Sequence, residues 1–220
     1  AIICSIIGAR IYYVIFEWDY YKENLLQIFN LRAGGLAIYG GVIAGAITMI
    51  VYTRVKKVSF FSMADTGVLG LVTGQIIGRW GNFFNCEAFG GYTDSLLAMR
   101  IKRSLVNDNM LNADVLSHKI VENGVEFIQV HPTFLYESCW NLCLLIFMLW
   151  FRKYKKYDGQ MFWIYLFGYG TGRFWIESLR TDQLILFGTG LPVSQALSLV
   201  LILVAAGNLI WRGRKHRQAA

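Results

Sequence analysis

The chain of 220 residues has little charge, little proline and few residues of the types that bind metals. Asp, Glu, Lys and Arg together make up 16% of it, whereas a soluble domain carries about a quarter. Its 55% hydrophobic and 15% aromatic content excludes a disordered chain, a collagen and a nucleic-acid-binding tail. The 4 cysteines form no Cys-x-x-Cys pair and there are 3 histidines, so a zinc site and a disulfide framework lack their ligands. This composition predicts a polytopic membrane protein.

Runs with little or no charge predict about six membrane spans, because roughly 20 apolar residues cross a bilayer. The predicted spans cover residues 1–16, 33–53, 66–84, 133–151, 159–179 and 183–211. The first run is short and does not begin with Met, so we expect a helix whose start lies outside the sequence. A cleaved signal peptide is the alternative, but it would begin with a basic region that is not visible here. Glycines at Gly41/Gly45, Gly70/Gly74/Gly78 and Gly168/Gly172 have a spacing typical of closely packed helices.

Basic residues between the spans orient the chain. The basic loops are 54–57, 152–156 and 212–217, and they fall on one side of the membrane if the spans alternate. Because cytoplasmic loops are enriched in Lys and Arg, this side and the C-terminus are predicted to be cytoplasmic. The other side receives 17–32, 88–130 and 181–191, which are acidic or mixed.

The segment 88–130 is predicted to be a small external head, inserted into a single transmembrane domain over 1–220. Within it, the runs 119–122 and 125–130 flank Asn123-Gly124, a strong signal for a type I′ hairpin. We expect the head to be too short for a hydrophobic core of its own. The predicted fold class is therefore an all-α polytopic membrane protein with about six transmembrane helices and an external hairpin.

Ionisable residues inside the spans are the first candidates for function. A charge in the bilayer costs several kcal/mol, roughly 2.5 to 3.5 even on the lenient insertion scale. These residues are Arg10, Asp65, Arg79, Glu87, Glu137, Arg173, Glu177 and Arg180. Asp65 follows a basic loop at the start of a span, so capping of its own helix explains it.

The run Gly78-Arg-Trp-Gly-Asn-Phe-Phe-Asn-Cys-Glu-Ala-Phe-Gly-Gly91 concentrates polar groups at the outer end of a span. The polar residues are Arg79, Asn82, Asn85 and Glu87. They combine hydrogen-bond donors and acceptors between flanking glycines, which favours a helix that breaks around a polar ligand. An interhelical polar clamp is the alternative.

A second cluster lies in Gly170-Thr-Gly-Arg-Phe-Trp-Ile-Glu-Ser-Leu-Arg-Thr-Asp182. Arg173, Glu177 and Arg180 are spaced i, i+4 and i+7, so they are predicted to share one helix face. Glu177 neutralises one arginine and leaves the other for an anion, although a structural ladder of ion pairs uses the same spacing. Two arginines from different helices at one depth form a phosphate clamp, because guanidinium binds phosphate oxygens bidentately. In a membrane, the available phosphate is a phospholipid head group.

Two shorter motifs complete the set. The motif His131-Pro-Thr-Phe-Leu-Tyr-Glu137 returns the head to the bilayer, and its proline fits the first position of a helix. His131 is a candidate base, with a hydrogen-bonded cap as the alternative, and Tyr136 lies one turn inside. In Gly34-Gly-Leu-Ala-Ile-Tyr-Gly-Gly41, the glycines present Tyr39 where backbones approach closely, although tyrosine is also common at the membrane interface.

These motifs together resemble the bacterial phosphatidylglycerol–prolipoprotein diacylglyceryl transferase family. The run Arg79–Gly90 resembles the family signature, and the other three motifs fall in the family's order over nearly the whole chain. The resemblance implies seven spans, an outward N-terminus and a cytoplasmic C-terminus in the bacterial inner membrane. Many members carry a histidine, argued to be the base, at the position of Tyr39. Tyrosine is a poor base at neutral pH, so Tyr39 is predicted to hydrogen-bond the lipid or to orient another group.

The resemblance implies transfer of the diacylglyceryl group of phosphatidylglycerol to the lipobox cysteine thiol of a prolipoprotein. This forms a thioether and releases glycerol phosphate. The predicted catalytic residues are Arg79, Arg173, Glu87, Tyr39 and His131. The residues predicted to bind phosphatidylglycerol are Arg79, Asn82, Asn85, Gly90, Arg173, Glu177, Arg180 and Tyr136. No metal or cofactor is expected.

Two other function classes stay open. A phospholipid or organic-anion transporter would use the same arginines, but its usual marks are an internal repeat and paired broken helices, and only one broken helix is predicted. A structural scaffold is disfavoured by the number of costly intramembrane charges.

Overall fold

The computed structural model describes residues 1–185 and 190–219, and the chain divides into two compact units, Ala1–Met63 and Ala64–Ala220. The single-domain organisation over 1–220 stays a prediction. The first unit contains α1 (Ile2–Phe16), α2 (Trp18–Tyr21) and α3 (Ile38–Lys56), with 3₁₀ turns at Leu25–Phe29 and Leu31–Ala33. Helices α1 and α3 pack so closely that a Cβ on Gly40 would overlap the Gly8 carbonyl. A Cβ on Gly45 would lie 2.7 Å from Ser5 Oγ, so close packing is confirmed for Gly41/Gly45.

Arg10 organises the loop between α2 and α3. It is 6% exposed, and all five of its N–H donors reach backbone carbonyls. The carbonyls belong to Gln27 (2.6 Å), Gly34 (2.7 Å), Ile28 and Gly35 (both 2.8 Å) and Asn30 (3.1 Å). The guanidinium also lies 5.1 Å from the centre of the Tyr21 ring. This intramembrane charge therefore has a structural explanation, because its donors hold the loop in place.

The second unit contains the helices that carry the Arg79 signature. Its elements are α4 (Phe60–Phe84, which begins in the first unit), α5 (Ala113–Ser117), α6 (Thr133–Phe151), α7 (Gln160–Glu177) and α8 (Val193–Ala219), with 3₁₀ turns at Arg103–Leu105, Asp108–Met110 and Arg152–Tyr154. The buried core between α4, α6 and α7 consists of Val68, Val72, Leu144, Met148, Met161 and Tyr165. Gly168 packs against Leu144, and Gly172 packs against Trp140, which confirms close packing at this pair. A Cβ on Gly70, Gly74 or Gly78 would meet no heavy atom of the described residues within 4 Å, so the packing prediction is wrong for this trio.

The membrane character of the fold is confirmed. Four helical segments are long and apolar enough to cross a bilayer by length and composition: Ile38–Lys56, Phe60–Phe84, Thr133–Tyr154 and Val193–His216. Ile2–Phe16 is a shorter apolar helix, and α7 has 18 residues, so each of the six predicted spans contains a helix. The last span begins later than predicted, at Val193. Before it, Ile185 pairs with Pro192 as a β-bridge, and the Val193 amide donates to the Leu184 carbonyl. Residues 186–189 of that predicted span lie outside the described residues.

A three-stranded antiparallel sheet forms the head. The strands are β1 (Met99–Lys102), β2 (Ile120–Glu122) and β3 (Val125–Val130), in the order β1-β3-β2. The predicted hairpin is confirmed, because Asn123 (φ 52°) and Gly124 (φ 76°) have the positive φ values that a type I′ turn requires. Strand β1 escaped prediction because it is only four residues long and its pairing with β3 joins Met99 to Val130, 31 positions apart in the sequence.

The head also has a buried cluster of its own, so the expectation that it lacks a core is wrong. The cluster consists of Phe89, Ile101, Val106, Val115, Ile128 and Val130. Phe89 is 2% exposed and belongs to the signature run that follows α4. Phe89 therefore contributes to the core of the head, although the sequence analysis placed it in the functional signature.

Asp65 caps a helix other than its own. It lies in the second turn of α4, is 5% exposed, and accepts hydrogen bonds from the backbone amides of Gly159 and Phe162 (both 2.8 Å) at the start of α7. Lys155 Nζ lies 2.9 Å from the same carboxylate. The prediction that Asp65 caps its own helix is wrong, because the partners come from a segment about 90 residues later in the chain. Its side chain connects α4 to α7.

Replacing Asp65 by Ala should lower the free energy of unfolding by about 2 kcal/mol, through loss of a helix cap and of hydrogen bonds to a charged group. Thermal unfolding of the purified protein measures this change. Asp19→Ala is the control, because the Asp19 side chain is 94% exposed, and an equal loss in both variants would contradict the role of Asp65.

The hydrogen bond with Asp65 raises the pKa of Lys155. The lysine's part in this ion pair should therefore persist through neutral pH and be lost as the pH rises through that raised pKa.

Candidate functional site

The end of α4 builds the first half of the site. The helix continues unbroken through Arg79 and Asn82 to Phe84, so the predicted helix break lies after these residues. Cys86 (φ 53°) and Ala88 (φ 55°) then adopt the left-handed conformation and turn the chain away from the helix axis. Such residues are uncommon outside glycine, and they flank Glu87, whose side chain this turn brings back towards the helix.

Hydrogen bonds join the four polar residues of the signature. Arg79 Nη1 donates to Asn82 Oδ1 (3.2 Å), and Asn82 Nδ2 donates to Glu87 Oε1 (3.0 Å). Asn85 Nδ2 donates to the same Glu87 oxygen at 3.1 Å. Asn82 therefore supports Arg79, whereas Asn85 acts on Glu87.

Glu137 connects this half to the next two helices. It lies on α6, is 3% exposed, and its two oxygens pair with different arginines. Glu137 Oε1 lies 2.6 Å from Arg79 Nη2 of α4, and Glu137 Oε2 lies 3.2 Å from Arg173 Nη1 of α7. One buried carboxylate thus holds two guanidinium groups from separate helices at one level, which is the juxtaposition that the sequence predicted for a phosphate clamp.

Glu177 and Asp182 complete the charge network. Arg173 Nη2 also pairs with Glu177, which is 3% exposed. Helix α7 ends at Glu177, so Arg180 does not share a helix face with it, contrary to the prediction. Arg180 nonetheless approaches Glu177 to 4.0 Å and donates two hydrogen bonds to Asp182 (2.8 and 2.6 Å). Burial disfavours the charged form of both side chains, but the hydrogen bonds between Arg180 and Asp182 outweigh it. The pKa of Arg180 is therefore raised, and the pKa of Asp182 is lowered.

Gly90 joins three segments around the site. It forms a β-bridge with Arg180, and its amide donates to the His131 carbonyl at 3.0 Å. A Cβ on Gly90 would lie 2.8 Å from both His131 Cβ and the Leu179 carbonyl oxygen. The structure therefore gives Gly90 a packing reason, because the end of the signature, the start of α6 and the end of α7 meet at its backbone.

Gly90→Ala should lower the free energy of unfolding by about 1–3 kcal/mol, because the added methyl group overpacks this junction. Gly91→Ala is a matched control, since a Cβ on Gly91 would meet no heavy atom of the described part of the chain within 4 Å. Thermal unfolding of the two variants in the same detergent compares them. Equal stability of both would show that the junction tolerates a side chain.

The remaining predicted residues lie beside the charge network or in the other unit. His131 Nδ1 lies 3.2 Å from the Tyr136 hydroxyl, and the Tyr136 ring stacks on Trp175 at 6.3 Å. Burial lowers the pKa of His131, which favours the neutral imidazole. Tyr39 belongs to the first unit, in the first turn of α3, and is 54% exposed.

Sequence reasoning missed the position of Glu137. It was one of eight ionisable candidates, but it was given no partner, and Glu177 alone was expected to neutralise an arginine. One signal was available: a carboxylate inside a span needs a positive partner, and Arg79 and Arg173 lie in neighbouring predicted spans. Within residues 1–185 and 190–219, no group of three His, Cys, Asp or Glu side chains is placed to hold a metal ion.

Comparison with known proteins identifies the family. Residues 1–211 match the sequence model described as "Prolipoprotein diacylglyceryl transferase". A Clostridioides difficile protein named phosphatidylglycerol–prolipoprotein diacylglyceryl transferase is 46% identical over 99% of this chain and 77% of its own length. Proteins of the same name from Lysinibacillus sphaericus and Listeria monocytogenes are 42% and 44% identical, over 100% and 98% of this chain and 76% and 73% of their own lengths. The chain therefore belongs to the prolipoprotein diacylglyceryl transferase family.

Proposed function

We propose that this chain transfers the sn-1,2-diacylglyceryl group of phosphatidylglycerol to the lipobox cysteine thiol of a prolipoprotein. The carbon–oxygen bond to the head-group phosphate breaks, a carbon–sulfur bond forms, and glycerol phosphate leaves while the thiol proton passes to a base. The family and the names of its relatives support this reaction. The observation that carries it is the partly buried pair Arg79 and Arg173, held together by the buried carboxylate of Glu137.

Arg79 is proposed to bind the departing phosphate. Its side chain is 23% exposed, against 14% for Arg173 and Arg180, so it is the most accessible guanidinium of the three. Glu137 and Asn82 fix its two terminal nitrogens from one side. A fixed donor aimed at charge that develops in the transition state typically contributes about 3 kcal/mol.

Arg173 is proposed to be the second electrostatic arm. Glu137 and Glu177 hold it from two directions, so its position costs no rearrangement during the reaction. Arg180 is proposed to contact the lipid head group from its pair with Asp182. Tyr136 is proposed to contact the lipid, and Gly90 and Asn85 to shape the site. The role of Tyr39, which belongs to the first unit, stays a prediction.

The base is proposed to be Glu87 or His131. Glu87 has one oxygen occupied by two amide donors, whereas His131 has a pKa lowered by burial and one ring nitrogen beside Tyr136. A neutral imidazole can accept the thiol proton at neutral pH.

If His131 is the base, the rate should be constant above about pH 6.5, the ordinary His value, and should fall tenfold per pH unit below its lowered pKa. Initial rates across a pH series measure this dependence. His131→Gln should remove that acidic limb together with most of the activity. An unchanged limb in this variant would assign the proton to Glu87 or to another group.

Membrane placement follows the same proposal. The chain is a multi-pass membrane protein of a bacterial family. We infer the inner membrane as its location, with the basic loops and the C-terminus in the cytoplasm, because Lys and Arg concentrate on one side of the spans.

Thiol-dependent release of glycerol phosphate tests the function. Purified full-length protein is incubated in detergent with phosphatidylglycerol and a lipobox peptide, and a Cys→Ser peptide is the control. Release with the Cys peptide alone supports the transferase. Folded, lipid-binding protein that releases nothing would overturn the proposal and favour transport, for which lipid uptake without peptide is the positive sign.

A further inference from the structure

A cavity of about 500 Å³ lies at the basic end of the second unit, away from the site described above. It is lined by Tyr157, Trp211, Arg212, Lys215 and His216. The cavity lies just before α7 begins, whereas Arg173 lies about 20 Å further along that helix, at 1.5 Å per residue. Three of the five lining side chains are basic, and none is acidic.

Both walls of this cavity are held in place. Asp65 binds the Gly159 amide and Lys155, which fixes the loop that carries Tyr157. Arg212 Nη1 donates to the Asp158 carbonyl at 3.2 Å, which joins this loop to α8. The nearest acidic side chains are already engaged, because Lys155 pairs with both Asp65 and Asp158. The cavity therefore keeps a positive potential.

Tyr157 offers a donor inside the cavity. Its hydroxyl is buried and has no hydrogen-bond partner among the described residues. Burial raises the pKa of Tyr157, against the opposing charge of Arg212, so the phenol remains protonated. A buried hydroxyl without a partner destabilises the folded protein, and an acceptor such as a phosphate oxygen would offset this cost.

The apolar surface of α8 leads directly to this cavity. Leu203, Val204, Ile210 and Trp211 are 64%, 47%, 56% and 60% exposed. Leu203 and Ile210 are seven residues apart, as are Val204 and Trp211, so they follow one face of the helix. Val193–His216 is one of the candidate spans. Acyl chains can therefore lie along this face while a head group occupies the cavity at its end.

We propose that this cavity binds the head-group phosphate of an anionic phospholipid in the leaflet opposite to the substrate site. Tyr157 donates to a phosphate oxygen, Arg212, Lys215 and His216 supply positive charge, and Trp211 covers the glycerol region at the membrane interface. The site is separate from the transferase reaction and does not depend on it.

Trp211 provides the readout. The protein is placed in phosphatidylcholine nanodiscs that contain either phosphatidic acid or further phosphatidylcholine, each with brominated acyl chains that quench nearby tryptophans. The difference between wild type and Trp211→Phe isolates the signal of Trp211. We expect brominated phosphatidic acid to quench this signal at lower lipid fractions than brominated phosphatidylcholine.

Arg212→Gln combined with Lys215→Gln should weaken the apparent affinity for phosphatidic acid about fivefold per charge, as expected for a basic residue near a membrane surface. Arg152→Gln combined with Lys153→Gln is the matched control, because both residues are exposed basic residues of the neighbouring loop, outside the cavity lining. Equal quenching by the two lipids, or equal loss in both double variants, would overturn the proposal. If added inorganic phosphate removes the difference in Trp211 quenching between the two lipids, the cavity binds a free anion instead of a lipid.

Discussion

Arg79→Lys should lower kcat/KM for phosphatidylglycerol by about 10²–10³-fold, the loss typical of removing one preorganised donor to a developing negative charge. The substitution keeps the positive charge, but a lysine has one nitrogen where Arg79 uses two. In the native site, Nη2 pairs with Glu137 while Nη1 donates to Asn82. A single ammonium group cannot keep both contacts and also bind two phosphate oxygens.

Initial rates of glycerol phosphate release measure this effect, after the thiol-independent release found with the Cys→Ser peptide is subtracted. Arg100→Lys is the matched control, because Arg100 is half exposed and pairs with Glu122 on the surface of the head. Turnover of Arg79→Lys near the wild-type value would contradict the phosphate role of Arg79. A similar loss in Arg100→Lys would show that any arginine-to-lysine change disturbs the enzyme.

Glu137→Gln should lower the free energy of unfolding by about 3–5 kcal/mol, the usual effect of removing one partner from a buried ion pair. The neutral amide leaves Arg79 without a carboxylate and leaves Arg173 with Glu177 alone. For a chain of this size, the loss corresponds to about 10 °C in Tm. We expect activity to fall as well, because the two arginines then lose their common anchor.

Heating the variant in detergent and following the folded fraction by size exclusion tests this prediction. Glu126→Gln serves as the control, since Glu126 forms an exposed pair with Lys119, and exposed pairs contribute about 0–1 kcal/mol. If Glu137→Gln were as stable as Glu126→Gln, the bridge would not be a stabilising element. In that case the two arginines would be positioned by the packing of α4 and α7.

Local patterns predicted the parts of this protein that depend on neighbours in the sequence. The start of α6 at Thr133 and its end at Phe151 agree with the predicted span, because hydropathy is read along one helix. The Asn123-Gly124 hairpin has the same basis, since a type I′ turn needs only two residues with positive φ. Strand β1 and the head core depend on pairing across the whole segment, and local pattern contains no such information.

The candidate site shows the same division. Arg79, Asn82 and Glu87 lie within nine positions, and hydrogen bonds join them. Arg180 was expected on the face of a helix, but α7 ends at Glu177, and a turn brings Arg180 back to it. Spacing indicates a shared face only while the helix continues, and the end of α7 carries no strong sequence signal.

The sequence by itself determined the class of protein, the positions of the spans and the family, because hydropathy, basic loops and the run Arg79–Gly90 are properties of composition and order. Only the tertiary structure decided which carboxylate each buried cation meets. Asp65 pairs with Lys155 and caps α7, Glu137 lies between Arg79 and Arg173, and the hydrogen bonds of Arg10 go to backbone carbonyls. The physical reason is that a buried charge must be compensated, and its partner is set by helix packing at a distance that sequence spacing does not encode.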